Sequence, residues 1–313
     1  MARFRRDGSG SRSGRLRGEG ASIRCPASLS PVIGDMLRQR IITGLILAGA
    51  LLATLAYAPH PLQALLFALV ATAGAWEWAG LVGAKTAGQR GGFALVVPLL
   101  CFLLWKQIGL ADQQPAIEAQ PWLAVSALFW SAMLLALKYY PSGNWLLRQT
   151  WVRAVMGWLI LSGTWFAVVV CLTFGNGPMV MLVMILTVAA ADIGAYFVGR
   201  RFGRHALAKE ISPGKTWEGF WGGMLAVTAL TFAVWQSLPP TYLHLGFGSI
   251  LALGLATAGA SVVGDLTVSL LKREMGMKDT GSWLPGHGGV LDRLDSICGA
   301  APIFALGLLL VGY

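Results

Sequence analysis

Nine long apolar runs dominate this 313-residue sequence and restrict what it can fold into. They lie at about 41–58, 62–82, 91–105, 122–137, 154–174, 179–198, 219–238, 250–271 and 294–313. Runs of about 20 apolar residues have the length that a helix needs to cross a bilayer. Only 12% of the residues are charged, which is about half the fraction found in ordinary soluble domains. The sequence therefore predicts an all-α, polytopic membrane bundle of about nine transmembrane helices.

The distribution of basic residues predicts the orientation of this bundle. If the N-terminus is cytoplasmic, 23 of the 24 Lys and Arg residues fall on the cytoplasmic side, and Lys106 is the exception. This asymmetry is the one that the positive-inside rule describes. The formal net charge of +10 then belongs to a cytoplasmic surface that suits anionic lipid head groups and phosphates. Nucleic acid is not an expected partner.

The chain divides into a leader and one membrane domain. Residues 1–35 are rich in Arg, Ser and Gly and lack apolar periodicity, which predicts disorder. A transit-like peptide and an overlong sequence whose true start is Met36 are both open readings of this leader. Residues 36–313 form the predicted membrane domain.

The polar segment between Asp265 and Asp295 is the first candidate site. On a helix, the spacing of Asp265, Ser269 and Lys272 places their side chains on one face. Asp292 and Asp295 likewise share a face at the start of the last span. Acids inside or beside apolar spans mark functional sites by default. Three carboxylates at neighbouring helix ends favour Mg²⁺, which takes one or two carboxylates together with substrate phosphates.

Basic residues and glycines fill the same segment. The bases that would face a polyphosphate are Lys272, Arg273, Lys278 and Arg293. The glycines that allow close approach of the backbone are Gly281, Gly286, Gly288 and Gly289. His287 has two readings, since it either acts directly in catalysis or orients the glycine turn.

A second polar segment runs from Asp192 to Gly219. Its glycine, basic and hydroxyl residues suit phosphates, and Lys215 is the expected binding residue. The tripeptide Gly214-Lys215-Thr216 is not a P-loop, because the earlier glycine, the preceding strand and the following soluble helix are missing from the pattern. Ser212 either contributes to the binding site or merely begins the next helix.

Glu77 is an acid within another apolar run, flanked by Trp76 and Trp78. Two readings are open. Glu77 either pairs with a basic residue of another span or lies at the membrane interface with its aromatic neighbours.

The residues from Ser269 to Asp295 follow the pattern S-L-L-K-R-x4-K-D-x-G-x2-L-P-G-H-G-G-V-x-D-R-L-D. This pattern resembles the signature of the phosphatidate cytidylyltransferases, also called CDP-diglyceride synthetases. The segment 192–223, the step at Asp265 and the Glu77-Trp78 pair also resemble that family. The resemblance extends over roughly residues 36–313 and leaves out the leader.

The resemblance implies transfer of CMP from CTP to phosphatidic acid, which yields CDP-diacylglycerol and pyrophosphate and requires Mg²⁺. By similarity, Asp265, Asp292 and Asp295 bind the metal, and a second cation stays an open point. The residues assigned to catalysis are Asp265, Asp292, Lys272 and Arg293. The residues assigned to substrate binding are Lys215, Ser212, Ser269, Arg273, Lys278, His287, Gly288 and Gly289. The expected location is the bacterial inner membrane, with the site facing the cytoplasm.

Two other classes compete with this reading. A transporter of an anionic substrate also contains intramembrane acids and broken glycine-rich segments. The two halves of this chain show no similarity, however, and its polar residues collect near one surface. The CDP-alcohol phosphatidyltransferases have an Asp-Gly signature with spaced Gly and Asp residues, which is not present. Assembly as a monomer or as a homodimer is open.

Overall fold

A computed structural model describes residues 29–107, 117–142, 145–237, 246–284, 286 and 288–312. The predicted leader lies outside the described residues as far as residue 28. Helix α1 begins at Leu29, so it includes the last part of the stretch assigned to the leader.

The described residues form nine long helices and one β-hairpin, together with a short 3-10 turn. The helices are α1 Leu29–Tyr57, α2 His60–Val82, α3 Ala87–Gln107, α4 Gln120–Lys138, α5 Thr150–Thr173, α6 Gly177–Phe202, α7 Trp217–Ser237, α8 Phe247–Glu274 and α9 Leu291–Leu310. The strands are β1 Ala206–Ala208 and β2 Ser212–Thr216. The predicted all-α bundle is confirmed, and the hairpin is an addition that the sequence patterns did not predict.

Eight of the nine described helices are long and apolar enough to cross a membrane. The other, α7, occupies the position of a predicted span and has 21 residues. Its first two turns contain Glu218 and three glycines, which lower its hydropathy. Helix α7 packs along α6 in the most extensive helix pair of the bundle. Close packing between small residues explains that pairing, since a Cβ added at Gly223 would lie 2.6 Å from the carbonyl oxygen of Ala191.

Helix α5 forms the centre of the bundle and is the most buried of the spans. Trp78 of α2 is fully buried and packs its indole against α5 at Gly157, where a Cβ would overlap the ring. The Trp78 Nε1 group donates a hydrogen bond of 2.9 Å to the Arg153 carbonyl. Trp165 of α5 donates in turn to the carbonyl of Ala64 at 2.8 Å. Buried indole N–H groups need such partners, and these two bonds hold α2 in register with α5.

The outer surface of the bundle is apolar. Large side chains such as Leu45 of α1, Leu128 of α4 and Leu225 of α7 are well exposed. Exposed apolar surface of this extent is unusual for a soluble monomer. It is the surface expected for helices that face lipid, where apolar side chains meet hydrocarbon tails.

Helices α8 and α9 approach closely because each contributes a glycine at their crossing. A Cβ at Gly264 would overlap the backbone of Asp295, and a Cβ at Gly299 would overlap the Ala260 carbonyl. The close approach places Asp265, the residue after Gly264, beside the first turns of α9. The crossing therefore brings the two acid-bearing helices together.

The hairpin β1–β2 is antiparallel and connects α6 to α7. Ser212 and Pro213 lie in β2, and α7 begins at Trp217. The reading in which Ser212 begins the next helix is therefore wrong. Glu218 lies in the first turn of α7, and its Oε2 accepts hydrogen bonds from the backbone N–H groups of Arg204, at 3.1 Å, and His205, at 3.2 Å. These bonds fasten the start of the hairpin to the helix that follows it.

Candidate active site

The first polar contact of the site joins the hairpin to α8. Lys215 of β2 forms an ion pair with Asp265 Oδ2, and the Ser269 hydroxyl donates to Asp265 Oδ1 at 3.2 Å. The side chains of Lys215 and Asp265 are 28% and 23% exposed. The Ser269 bond confirms that the face of α8 is arranged as the sequence spacing predicted. The pair is accessible, so phosphate oxygens can compete with Asp265 for the Lys215 ammonium.

The second polar contact joins α8 to α9. Lys272 Nζ donates to Asp292 Oδ1 at 2.9 Å, and these side chains are 12% and 8% exposed. Asp292 Oδ2 accepts the backbone N–H groups of Thr280, at 3.1 Å, and Gly289, at 3.0 Å. The loop between α8 and α9 is thus folded around the Asp292 carboxylate.

Lys215 also interacts electrostatically with two further acids. One is Asp295 in the second turn of α9, which is mostly buried, and the other is Asp192 of α6. Asp265 interacts with both of them as well. The sequence analysis assigned no role to Asp192. The signal that it offered was its position inside an apolar run directly before a polar segment, which it shares with Asp265.

The three acids predicted to hold a metal do not form a single cluster. In the part of the chain that the structure describes, no group of three or more His, Cys, Asp or Glu side chains is arranged to hold a metal ion. Asp292 is directed to Lys272 and two backbone N–H groups, whereas Asp265 is directed to Lys215. The neighbouring carboxylates of Asp265 and Asp295 nevertheless fit a hard cation, because Mg²⁺ needs only one or two protein carboxylates when phosphates complete its shell.

The remaining predicted bases are spread around these two ion pairs. Arg273 Nε donates to the Ile211 carbonyl at 3.2 Å, so its guanidinium helps to hold the hairpin against α8. Ser212 lies next to this anchor in β2. Lys278 in the α8–α9 loop and Arg293 in the first turn of α9 are exposed.

Two predicted glycines have a clear structural requirement. Gly288 has a φ of +82°, in the left-handed region that favours glycine. Gly289 has no space for a side chain, because an added Cβ would overlap Glu77 and Thr280. His287, which lies between these glycines and Pro285, is outside the described residues, and both of its readings stay predictions.

Glu77 belongs to this site, which neither reading of the sequence anticipated. It is 2% exposed, so protein atoms enclose it, and its depth relative to the membrane interface stays a prediction. Its carboxylate accepts hydrogen bonds from the Thr280 hydroxyl, at 3.1 Å, and from the backbone N–H groups of Val290, at 3.0 Å, and Leu291, at 2.8 Å. Among the residues that the structure describes, these partners are neutral and Glu77 forms no ion pair, so the expected pairing with a basic residue of another span is wrong. The sequence feature that could have assigned Glu77 to the site is the presence of an acid within an apolar run.

A cavity of about 1020 Å³ lies beside the hairpin, between α4, α7 and α8. Most of its lining is apolar, for example Trp130, Phe220 and Val263. Polar groups occur where the hairpin and the end of α4 line it, including Lys138 and Lys209. The cavity also reaches Leu266, the residue after Asp265. An apolar space therefore adjoins the charged groups.

The chain matches the cytidylyltransferase family over residues 38–311. The chain belongs to this family. It is 39% identical to a phosphatidate cytidylyltransferase of Pseudomonas aeruginosa over 284 residues, which cover 89% of this chain and 99% of that protein. A phosphatidate cytidylyltransferase of Haemophilus influenzae is 33% identical, with 86% and 98% covered. One of Bacillus subtilis is 32% identical, with 85% and 95% covered.

Membership of the cytidylyltransferase family confirms the resemblance that the signature indicated. The signature residues form the α8–α9 loop and both helix ends beside it and include the Lys272–Asp292 pair, whereas Lys215 of β2 and Asp265 of α8 lie outside the signature. The same position argues against the transporter reading, since the polar groups collect at helix ends and in a hairpin. Nucleotidyl transfer by an integral membrane protein is thus the activity class of the chain.

Proposed function

We propose that this protein transfers CMP from CTP to phosphatidic acid and forms CDP-diacylglycerol and pyrophosphate. Two ion pairs carry the proposal, Lys215–Asp265 and Lys272–Asp292. They gather two ammonium groups from the hairpin and α8 at one end of a membrane bundle, in a chain of the cytidylyltransferase family. The relatives named for this activity are covered over almost their full length.

The reaction places a phosphate oxygen of phosphatidic acid on the α-phosphorus of CTP. A new bond forms from that oxygen to the α-phosphorus, the bond from the α-phosphorus to the bridging oxygen breaks, and the electron pair leaves with pyrophosphate. The attacking phosphate is already ionised, so no strong general base is required. The main barrier is the approach of two polyanions, which fixed positive charges lower by positioning and electrostatic stabilisation.

The lysines are held ready for this role by their carboxylate partners. Before substrate binds, Asp265 and Asp292 keep the ammonium groups of Lys215 and Lys272 in place. Phosphate oxygens of CTP then compete for these groups, and Lys278 and Arg293 add exposed positive charge at the same end. Charge-assisted hydrogen bonds to phosphate are stronger than those between neutral groups.

The carboxylates of Asp265 and Asp295 would hold Mg²⁺ together with substrate phosphates, whereas Asp292 accepts hydrogen bonds from Lys272 and two backbone N–H groups and would hold the loop. When bound, this ion supplies Lewis-acid stabilisation of the charge that develops on phosphate oxygens. The fit rests on the hard oxygen donors of Asp265 and Asp295, whose carboxyl groups are close enough to interact. Asp192, which also interacts with Asp265, adds a further oxygen donor beside them.

The apolar cavity supports a lipid substrate. Its lining by α4, α7 and α8 provides apolar surface for an acyl chain, and its polar end adjoins the hairpin that carries Lys215. A lipid phosphate can thus reach the charged groups while its chains stay in an apolar environment. The basic residues further suggest that this end faces the cytoplasm, and the bacterial relatives favour the inner membrane.

The test is an assay of purified protein in detergent micelles with labelled CTP and phosphatidic acid, with and without Mg²⁺. We expect equal amounts of CDP-diacylglycerol and pyrophosphate, with no product after chelation of the metal. Asp292→Asn should lower turnover by roughly 100-fold or more, because it weakens the Lys272 contact and removes a charged group from the site.

Glu118→Gln provides the matched control, because Glu118 is an exposed acid at the N-terminal side of α4, away from the signature residues. This variant should keep wild-type turnover. Absence of both products from folded wild-type protein, across several lipid chain lengths and divalent metals, would contradict the proposed reaction.

A further inference from the structure

Glu77 is a buried carboxylate that the proposed reaction does not use. It lies in α2, far along the sequence from the signature, yet its described partners belong to the α8–α9 loop and the start of α9. It is 2% exposed, so its charge is removed from water. A buried carboxylate is costly unless several hydrogen bonds stabilise it.

The partners of Glu77 explain how its charge is stabilised. The N–H groups of Val290 and Leu291 belong to the beginning of α9, where backbone N–H groups have no carbonyl partner within the helix. The positive end of the helix dipole adds to the stabilisation of an anion at that point. Glu77 therefore caps α9 from a neighbouring helix, a role that the N-cap side chain of Val290 cannot perform.

The same backbone segments contact both Glu77 and Asp292. Thr280 donates its hydroxyl to Glu77 and its backbone N–H to Asp292. Gly289 donates its N–H to Asp292, and the next residue, Val290, donates to Glu77. The loop is thus held between two carboxylates, and a shift of one changes the geometry around the other.

The packing leaves little freedom for this arrangement. A Cβ at Gly281 would overlap the Glu77 carboxylate, and a Cβ at Gly289 would overlap both Glu77 and Thr280. The Glu77 side chain is therefore enclosed by loop backbone on two sides. Such close contact transmits a displacement of the loop directly to the first turn of α9, which contains Asp292.

We propose that Glu77 is a positioning residue that sets the location of Asp292 and its partner Lys272 by clamping the α8–α9 loop and the start of α9. This inference rests on the proposed cytidylyl transfer. Glu77 is enclosed by the loop and is 2% exposed, so its replacement should change the rate of the chemical step more than the affinity for CTP.

Glu77→Gln is the first test, because it keeps the shape of the side chain but places an amide donor against backbone N–H groups. We expect kcat to fall by roughly 10- to 100-fold, since small misplacements of reacting groups cost rates of that order. KM for CTP should stay within about twofold of the wild-type value, the pattern of a lost contribution to the transition state. Glu77→Asp keeps the charge and should recover part of the lost kcat.

Gln63→Ala is the matched control on the same helix. Gln63 is also a buried polar residue of α2, but its side chain donates to the Thr54 carbonyl at 3.1 Å, away from the signature loop. Its replacement should lower the thermal midpoint of unfolding without changing kcat per folded molecule. If Glu77→Gln does not fold, Thr280→Val removes one donor to Glu77 and should lower kcat by about threefold to tenfold.

The outcomes separate this inference from the proposed reaction. Wild-type protein without CDP-diacylglycerol formation would defeat the reaction itself. Active wild-type protein together with a folded Glu77→Gln, or Thr280→Val in its place, that keeps kcat within about twofold would overturn the positioning role. An equal loss of kcat in Gln63→Ala would also overturn it, because the effect would then reflect general destabilisation of α2.

Discussion

Glu77 and Asp265 are both acids in apolar helices that meet at the same end of the bundle, but their surroundings differ. Glu77 is almost fully buried and accepts hydrogen bonds from a hydroxyl and two backbone N–H groups. Asp265 is about a quarter exposed on its side chain and faces a lysine that is also partly exposed. Fixed neutral donors hold a carboxylate permanently, whereas an accessible ammonium can exchange its partner. The first arrangement suits a structural clamp and the second suits a substrate site.

This difference also explains why two acids with similar sequence contexts have different consequences. Removing the charge of Glu77 leaves backbone N–H groups without an acceptor inside the protein, which costs the desolvation of each group. Removing the charge of Asp265 leaves Lys215 in a place that water and phosphate can reach. Variants at the two positions should therefore differ in whether stability or activity responds more strongly.

The largest effect is expected for Asp265→Asn. The change removes the charged partner of Lys215 and an oxygen donor suited to Mg²⁺, so kcat/KM should fall by roughly 100-fold or more. The thermal midpoint should stay close to the wild-type value because the site is partly open to solvent. Steady-state assays and thermal unfolding in the same detergent provide both values. A large loss of stability with activity retained would show that Asp265 is a structural acid and not part of the substrate site.

A medium effect is expected for Gly289→Ala. The added methyl group would overlap Glu77 and Thr280, so the protein should lose about 1–3 kcal/mol of stability, as in other overpacked sites. Gly214→Ala is the control, since no atom lies within 4 Å of a Cβ added there. Thermal unfolding of both variants against wild type measures the difference. Equal midpoints for the two variants would show that Glu77 and Thr280 can move aside for a methyl group at Gly289.

The smallest effects are expected for Thr280→Val and Ser269→Ala, which each remove one hydroxyl donor to an acid. Thr280→Val should cost about 1 kcal/mol of stability because Glu77 and its donors are buried. Ser269→Ala should leave the thermal midpoint nearly unchanged, since water can replace the donor to Asp265. Unfolding midpoints measured side by side test this contrast. A larger drop for Ser269→Ala would mean that Asp265 is the more structural acid.

Much of the architecture was accessible from the order of apolar and polar residues. The length of the apolar runs predicted the all-α bundle, because a backbone in lipid must satisfy its hydrogen bonds within each helix. The helix face containing Asp265, Ser269 and Lys272 follows from local geometry, and the Ser269 hydrogen bond confirms it for Asp265 and Ser269. The hairpin was missed, because β1 has only three residues, two of them alanine, and β2 contains proline, glycine and lysine, all of which are depleted in strands.

The membrane bundle, the family and the segments that contain the site follow from the length of the apolar runs and from a contiguous signature, which are local properties of the chain. Which charges meet depends instead on how the helices pack. Spacing along α9 placed Asp292 and Asp295 on one face, yet the folded loop directs Asp292 to Lys272, while Asp295 lies near Asp265 and Lys215. Glu77 joins the site through contacts with residues more than 200 positions away. Such contacts arise from helix packing, which no local pattern encodes.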